Sequence, residues 1–219
     1  MEKIKNRTAS KHGNLLIPGV FSLTAALYQN IVLGRPYFYA LFSLGMFLLL
    51  LSLYNLVADK MLFSEWSIMD VCIFSAFLLF SCLVIDELGM RLGYWEYPHY
   101  GPSDDLRKYF LEWAIALLYH MVSLLLGIKL FQRLCDDDAT AFLLSIMLVV
   151  TPVGFLTESL NQQVNSWRVL SMPFTNLKIG DFFLVFQTVG YWLMALIPYT
   201  LYILIDLSVQ KRRLFQENK

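Results

Sequence analysis

The stretch SIMDVCIFSAFLLFSCLVID, residues 67–86, is almost wholly apolar, and the charged and aromatic segment ELGMRLGYWEYPHYGP, residues 87–102, follows it directly. A helix of roughly 20 residues is needed to cross the hydrocarbon core of a bilayer, and the apolar stretch has this length. The sequence therefore predicts a transmembrane helix that ends at a polar, aromatic rim.

Five further apolar stretches of similar length occur in the chain. Hydrophobic residues make up 58% of the 219 and charged residues 16%, whereas soluble domains contain about 45–50% apolar residues. We expect an all-α fold, a polytopic integral membrane bundle of about six transmembrane helices. The other five stretches are 14–33, 38–58, 110–131, 140–160 and 182–206.

Residues 1–219 are expected to form a single transmembrane domain, with short basic tails at 1–13 and 207–219. No small-residue cleavage site follows the first apolar stretch, so we expect that span to remain uncleaved. Six spans place both termini on one side. With the termini inside, 11 Lys and Arg residues lie on the inner side and 6 on the outer side. The positive-inside rule then predicts cytoplasmic termini in a bacterial or archaeal cell membrane, with segments 84–110 and 158–181 both facing outward.

Charge and cysteine content argue against several classes of function. Net charge is zero and no basic stripe occurs, so we expect no nucleic-acid partner. Cys72, Cys82 and Cys135 give no disulfide or zinc spacing. The run at 136–138 is three aspartates, which favours a solvated loop over a metal site. We expect neither a metal nor another cofactor, and the oligomeric state is left open.

The two outward segments share a pattern. DELGMRLGYW, residues 86–95, aligns without a gap on ESLNQQVNSW, residues 158–167, so that Asp86 matches Glu158 and Trp95 matches Trp167. Each copy has an acid near a helix end and a tryptophan nine positions later. Duplication of a helix pair and chance are both open as explanations. Duplicated transmembrane segments often place a binding site at their interface.

Helical spacing indicates what each copy presents. Asn161, Gln162 and Asn165 follow Glu158 at i+3, i+4 and i+7, which predicts an acid and three amides on one face, as in a wet cavity or substrate pocket. Glu87 is either part of the same site or the partner of Arg91 at i+4.

The fourth apolar stretch adds two ionisable residues, Glu112 and His120. They are eight positions apart, which places His120 about 12 Å deeper along a helix and near the middle of a bilayer. An ionisable group at that depth is a functional hypothesis by default. The alternative for His120 is a neutral imidazole bonded to a Tyr or Ser hydroxyl. The alternative for Glu112 is an ordinary acid at the start of a helix, favoured by the helix macrodipole.

Aromatic residues surround the predicted rim. Most are expected to form the interfacial belt of membrane proteins, but Trp95, Tyr97 and Trp167 follow the acids at fixed spacing. We assign these three to substrate binding, together with Glu112, Asn161 and Asn176. Pro152 and Pro198 are expected to kink the last two helices.

Acids, indole rings and an apolar setting are suited to the protonation of an isoprenoid double bond. A carboxylic acid delivers the proton, and aromatic faces stabilise the carbocation that forms. The predicted catalytic residues are Asp86, Glu87, Glu158 and His120. The expected partner is a membrane lipid or isoprenoid, which becomes hydrated or cyclised.

The segment ELGMRLGYWEYPHYGP resembles the corresponding run of membrane-bound carotenoid biosynthesis proteins, the carotenoid 1,2-hydratases. A second patch, NSWRVLSMPFTNLKIGDFF at 165–183, is similar to their later Trp, Pro-x-x-Asn and Gly. A Phe-Gly pair of that family is missing before Tyr94, and Asp181 stands where it has an aromatic residue. The resemblance implies hydration of a carotenoid alkene. The Pro-x-Glu-Glu signature of the related lycopene cyclases does not occur. The matching positions are Glu87, Gly89, Gly93, Tyr94, Glu96, Tyr97, Gly101, Pro102, Trp167, Pro173, Asn176 and Gly180.

Two other classes of function are also open. DELGMR is similar to the acid-acid-x-x-x-Arg motif of CAAX-type intramembrane proteases, in which Glu87, Arg91 and His120 would meet around a water. Ala116 replaces the Phe of their second motif. The third class is a non-enzymatic lipid carrier or assembly protein, in which Asp86 and Glu158 bind a head group.

Overall fold

Helices make up most of the structure, a computed structural model that describes residues 15–26, 28, 38–58, 61–97, 106–164, 167–171, 177–179 and 182–217. A π-helical turn, Ile146–Val150, joins α5 to α6 into one continuous helix, so the described chain forms six helices. The helices are α1 Leu15–Ala26, α2 Phe38–Val57, α3 Ile68–Arg91, α4 Leu106–Phe131, α5 Asp138–Ser145, α6 Thr151–Val164 and α7 Leu184–Glu217. The strands have two residues each: β1 Trp95–Glu96, β2 Arg168–Val169, β3 Lys178–Ile179 and β4 Phe182–Phe183.

The all-α architecture expected from the sequence is confirmed. Four helical segments are long and apolar enough to cross a membrane: Ile68–Arg91, Ala114–Phe131, Asp138–Gln162 and Gln187–Phe215. In the part of the chain that the structure describes, two shorter apolar segments, Leu15–Ala26 and Leu41–Val57, lie in α1 and α2. The predicted first span, 14–33, extends beyond the described residues.

Helix α4 lies at the centre of the bundle. It contacts α2, α3, α5, α6 and α7, and 67% of its apolar segment is buried, against 22% in α3 and 17% in α7. Its fully buried residues include Tyr119, His120 and Met121. The imidazole predicted to lie deep along the fourth helix is therefore enclosed by protein.

Helices α1 and α2 pack closely through small residues. A Cβ added to Gly45 would lie 2.7 Å from Leu23 Cγ, and the Ser22 hydroxyl donates to the Leu41 carbonyl at 2.7 Å. Small residues and hydroxyl groups at such contacts are typical of helices that associate in lipid.

Polar side chains cap the N-termini of α3 and α5. Ser67 and Asp70 form a capping box at the start of α3. At the start of α5, the Asp137 carboxylate accepts from the Thr140 backbone N–H at 2.7 Å and from its hydroxyl at 2.6 Å. The hydrogen bond from the Thr140 side chain, followed by that from its backbone, lowers the pKa of Asp137. This aspartate of the 136–138 run thus serves as a helix cap.

The π turn in the fifth apolar segment lies directly before Pro152. Proline has no N–H and its ring clashes with the carbonyl four residues earlier. A wider turn ahead of it relieves that clash, and the Thr151 backbone N–H and hydroxyl both donate to Ile146 O. The kink predicted at Pro152 stays a prediction; the structure shows a π turn before it, and π turns are frequent at functional sites. Pro198 lies inside α7.

Helix α7 extends well past residue 206, where the sequence predicts the start of a basic tail. It has 34 residues, or about 51 Å at 1.5 Å per residue, and continues to Glu217. Arg212 pairs with the buried Asp70 at 2.6 Å and Arg213 pairs with Glu65 at 3.0 Å. These ion pairs connect the basic turn of α7 to Asp70 in α3 and to Glu65 in the connection before it.

Candidate functional site

The segments that follow α3 and α6 meet at one end of the bundle. A Schellman motif ends α3, because Gly93 has a φ of 70° and Tyr94 N–H donates to Gly89 O at 2.9 Å. The chain then enters β1, which pairs antiparallel with β2 so that Trp95 lies opposite Val169. The segments expected to face outward together are therefore neighbours in the fold.

Asp86 lies near the end of α3 and is buried, with 3% of its surface exposed. Its Oδ1 accepts from Trp95 Nε1 at 3.1 Å and from the Tyr97 hydroxyl. Gly89 makes this arrangement possible, since a Cβ there would overlap the Trp95 ring. Asp86 Oδ2 has no hydrogen-bond partner among the described residues. Asp86 thus positions the two aromatic side chains that follow it.

Glu158 occupies the matching position near the end of α6 and is 4% exposed. Its Oε2 accepts from the Tyr191 hydroxyl at 2.7 Å, and its Oε1 accepts from Asn161 Nδ2 at 3.2 Å. The side chains of Trp167 and Gln187 also hydrogen-bond this carboxyl group. Glu158 is therefore held by α6, α7 and the segment after α6.

The two copies of the sequence pattern share one contact. Each acid is hydrogen-bonded by the tryptophan nine positions later. They differ three residues after the acid, where Gly89 leaves room for the Trp95 ring. Asn161 occupies the matching position and binds the Trp167 backbone: its Nδ2 donates to Trp167 O at 3.0 Å, and Trp167 N–H donates to its Oδ1 at 3.1 Å. The two copies thus share a buried acid that is bonded by the following tryptophan, and duplication of the helix pair remains a prediction.

A pocket of about 340 Å³ opens beside Glu158. Both indole rings of the repeated pattern border it, and the rest of its wall is almost entirely apolar. Asp86 lies behind Trp95 and does not border the pocket. The lining residues are Ile85, Trp95, Glu158, Trp167, Val169, Gln187, Val189, Gly190, Tyr191, Leu193, Met194 and Ile197. Glu158 is therefore the carboxyl group that faces this apolar space.

His120 lies next to this site, deeper in the bundle. Its ring centroid is 4.4 Å from that of Tyr119 and 5.2 Å from that of Tyr191. Neither ring nitrogen has a hydrogen-bond partner among the described residues, and the Ser123 hydroxyl donates to the His120 carbonyl oxygen. The sequence left open that His120 is a neutral imidazole bonded to a Tyr or Ser hydroxyl. Within the described part of the chain, its ring makes no such hydrogen bond.

Glu87 and Arg91 form the i+4 ion pair at 2.6 Å, with side chains 40% and 77% exposed. His120 is 0% exposed. The arrangement expected for a CAAX-type protease needs these three side chains around one water, whereas the structure holds the pair at the surface and the imidazole in the core.

The other residues that the sequence assigned to the site do not contribute to it in the described part of the chain. Gln162 is exposed, so it does not share the inward face of Glu158; Asn161 takes that face because the Trp167 backbone binds it. Glu112 lies within α4, but its side chain is outside the described part. Asn165 and Asn176 also lie outside the described residues.

Tyr191, Gln187 and Gly154 are site residues that the sequence analysis missed. A Cβ at Gly154 would lie 2.5 Å from Tyr191 Cγ, so this glycine lets the tyrosine reach Glu158. Gln187 accepts from Phe183 N–H at 2.8 Å. The sequence does contain a sign of this site. Gln187 and Tyr191 are spaced i, i+4 in an apolar segment, which puts two polar groups on one helical face.

Within the described ranges, no group of three or more His, Cys, Asp or Glu side chains is arranged to hold a metal ion. No protein-family model, curated protein or solved structure matches this chain.

Proposed function

We propose that this protein is an integral membrane enzyme that protonates a double bond of an isoprenoid, as the resemblance to carotenoid hydratases implies. Four long apolar helices support membrane embedding. Large apolar side chains are exposed along α3 and α7, for example Phe80 at 62% and Leu204 at 58%. Soluble monomers rarely expose such continuous apolar surface, whereas lipid tails cover it without cost.

The observation that carries the chemical proposal is a buried carboxyl group on an apolar pocket. Glu158 borders a space of about 340 Å³ whose walls include the indoles of Trp95 and Trp167. Pockets that are mostly apolar with a few convergent polar groups are the usual form of a small-molecule site. A hydrocarbon chain fits these walls, and Glu158 is the group in position to donate a proton.

The proposed reaction begins when the Glu158 carboxylic acid transfers its proton to one alkene carbon. The π electrons form the new C–H bond, and the other carbon becomes a carbocation that the faces of Trp95 and Trp167 stabilise. Water then adds to the cation and returns a proton to the Glu158 carboxylate, which gives a tertiary alcohol. If a second double bond attacks the cation instead, loss of a proton gives a ring.

Deuterium labelling tests this proposal directly. Membranes that contain the protein are incubated in D₂O with a linear polyene such as lycopene, and the extract is analysed by mass spectrometry. We expect a hydrated or cyclised product with deuterium bound to carbon. Glu158→Gln should lower the yield at least 100-fold, within the range of about 10² to 10⁴ for general acids.

Glu87→Gln is the matched control, because it neutralises an exposed glutamate on the same rim. It should convert the polyene at the wild-type rate. A product that forms equally well with Glu158→Gln, or no conversion by the wild-type protein, would contradict the proposal.

A second candidate function, a non-catalytic lipid carrier, is favoured by the hydrogen bonding of Glu158. Both carboxyl oxygens already accept hydrogen bonds, so the group is held rigidly, as in a binding site. A carrier would co-purify with the polyene and return it unchanged, and Glu158→Gln would weaken its retention.

A further inference from the structure

A second pocket, of about 450 Å³, lies at the opposite end of the bundle from the Glu158 pocket. It is bordered by the end of α2, the 61–67 connection, the end of α4 and the second half of α7. Asp206 in this pocket follows Tyr191 by 15 residues along α7, a separation of about 22 Å. The two pockets are therefore separate sites.

Aromatic side chains form much of its wall. Trp66 stacks on Tyr202 with ring centroids 5.4 Å apart, and Phe63 meets Trp66 edge-on at 4.8 Å. Phe63 has a φ of 61°, which is rare for a bulky residue. Tyr54 and Tyr199 also border the pocket. Aromatic faces of this kind attract organic cations.

The pocket also contains two charges of opposite sign that do not pair. Asp206 accepts from Gln210 Nε2 at 2.8 Å and Trp66 Nε1 at 3.4 Å, and has no cationic partner among the described residues. Lys129 donates to Gln132 Oε1 at 3.4 Å and contacts no carboxylate in the described part of the chain.

The neighbouring charges behave differently. Glu65 also borders the pocket, but it is neutralised by Arg213 at 3.0 Å. Asp70 is neutralised by Arg212 at 2.6 Å. Among the charged residues that border the pocket, Asp206 and Lys129 are thus the two without an ion-pair partner in the described part of the chain.

We propose that this pocket binds a zwitterionic aminophosphate, with the ligand's ammonium at Asp206 and the aromatic faces and its phosphate at Lys129. A single carboxylate among aromatic rings is a poor site for a divalent cation, which requires several oxygen ligands. A purely anionic ligand would be repelled by the negative charge of Asp206. Both charges are matched by an ethanolamine phosphate, either as the head group of a membrane lipid or free in solution.

The assignment depends on the geometry of this pocket and not on the chemistry proposed at Glu158. It is tested by titrating the intact protein in detergent micelles with dioleoyl phosphatidylethanolamine or dioleoyl phosphatidylglycerol, with binding followed by native mass spectrometry. We expect phosphatidylethanolamine to bind at least tenfold more tightly. Asp206→Asn should remove most of this preference, and Lys129→Gln should weaken both lipids.

Arg168→Gln, which removes an exposed cation in β2 at the other end of the bundle, is the control and should leave both affinities unchanged. Asp206→Asn keeps one acceptor oxygen, for the hydrogen bond from either Trp66 or Gln210, and an unfolding temperature near that of the wild-type protein would confirm that it is folded. A third titration uses glycerophosphoethanolamine: equal affinity identifies a soluble ligand, whereas much weaker affinity identifies the lipid. Equal binding of the two lipids, unchanged selectivity in Asp206→Asn, or unchanged affinities in Lys129→Gln would overturn the assignment.

Discussion

Adjacent acids on α3 have opposite environments. Asp86 is buried and accepts from Trp95 and Tyr97, whereas Glu87 is exposed and pairs with Arg91. Asp86→Ala removes a buried acceptor, which costs about 1–3 kcal/mol. Glu87→Ala removes an exposed ion pair, which is worth about 0–1 kcal/mol. We therefore expect the unfolding temperature in detergent to fall clearly for Asp86→Ala and little for Glu87→Ala.

The same pair of variants tests the positioning role of Asp86. If Asp86 holds Trp95 at the pocket, the Trp95 fluorescence should shift in Asp86→Ala and remain unchanged in Glu87→Ala, measured in a chain whose other tryptophans are replaced by phenylalanine. Equal fluorescence and equal stability in both variants would contradict this role.

At the scale of elements, the contact between α6 and α7 depends on one glycine. Because a Cβ at Gly154 would lie 2.5 Å from Tyr191 Cγ, Gly154→Ala must displace the tyrosine or the helix, and overpacking of this kind costs about 1–3 kcal/mol. We expect lower thermal stability in detergent and loss of activity at Glu158, since Tyr191 is one of its hydrogen-bond donors.

Gly190→Ala is the control on the facing helix. A Cβ at Gly190 meets no atom within 4 Å, so alanine should leave the stability unchanged or raise it by up to about 1 kcal/mol through helix propensity. If both glycine variants unfold at the same temperature, the close packing of α6 on α7 is not what positions Tyr191.

Helices were predictable from apolar runs, because a segment such as 67–86 has few other ways to satisfy its backbone in lipid. The end of α7 could not be predicted in this way. Its last turns include Arg212 and Arg213, which form ion pairs with Asp70 and Glu65, more than 140 positions earlier in the sequence. The Asp86 and Glu158 pattern was visible, since its parts lie within ten positions. Tyr191 depends on Gly154, a contact between two helices that local spacing does not encode.

At the scale of the whole molecule, the two pockets lie at opposite ends of α3 and α7. If the protein spans a membrane as proposed, each pocket is then near a different leaflet. The basic residues of α7, which include Arg212 and Arg213, lie at the end that contains Asp206 and Lys129. By the positive-inside rule we expect this end to face the cytoplasm and the Glu158 pocket to face outward.

Two single-cysteine proteins test this orientation. One retains only Cys135, in the turn after α4; the other has Ser171→Cys, next to β2, and all three native cysteines replaced by serine. Ser171 is exposed and donates to Gly93 O at 3.0 Å, so it marks the Glu158 end. In intact cells a membrane-impermeant maleimide should label only the Ser171→Cys protein, and Cys135 should react once the membrane is permeabilised. Labelling of Cys135 in intact cells would reverse the orientation and place the aminophosphate pocket outside, which would leave Glu158 at the cytoplasmic rim.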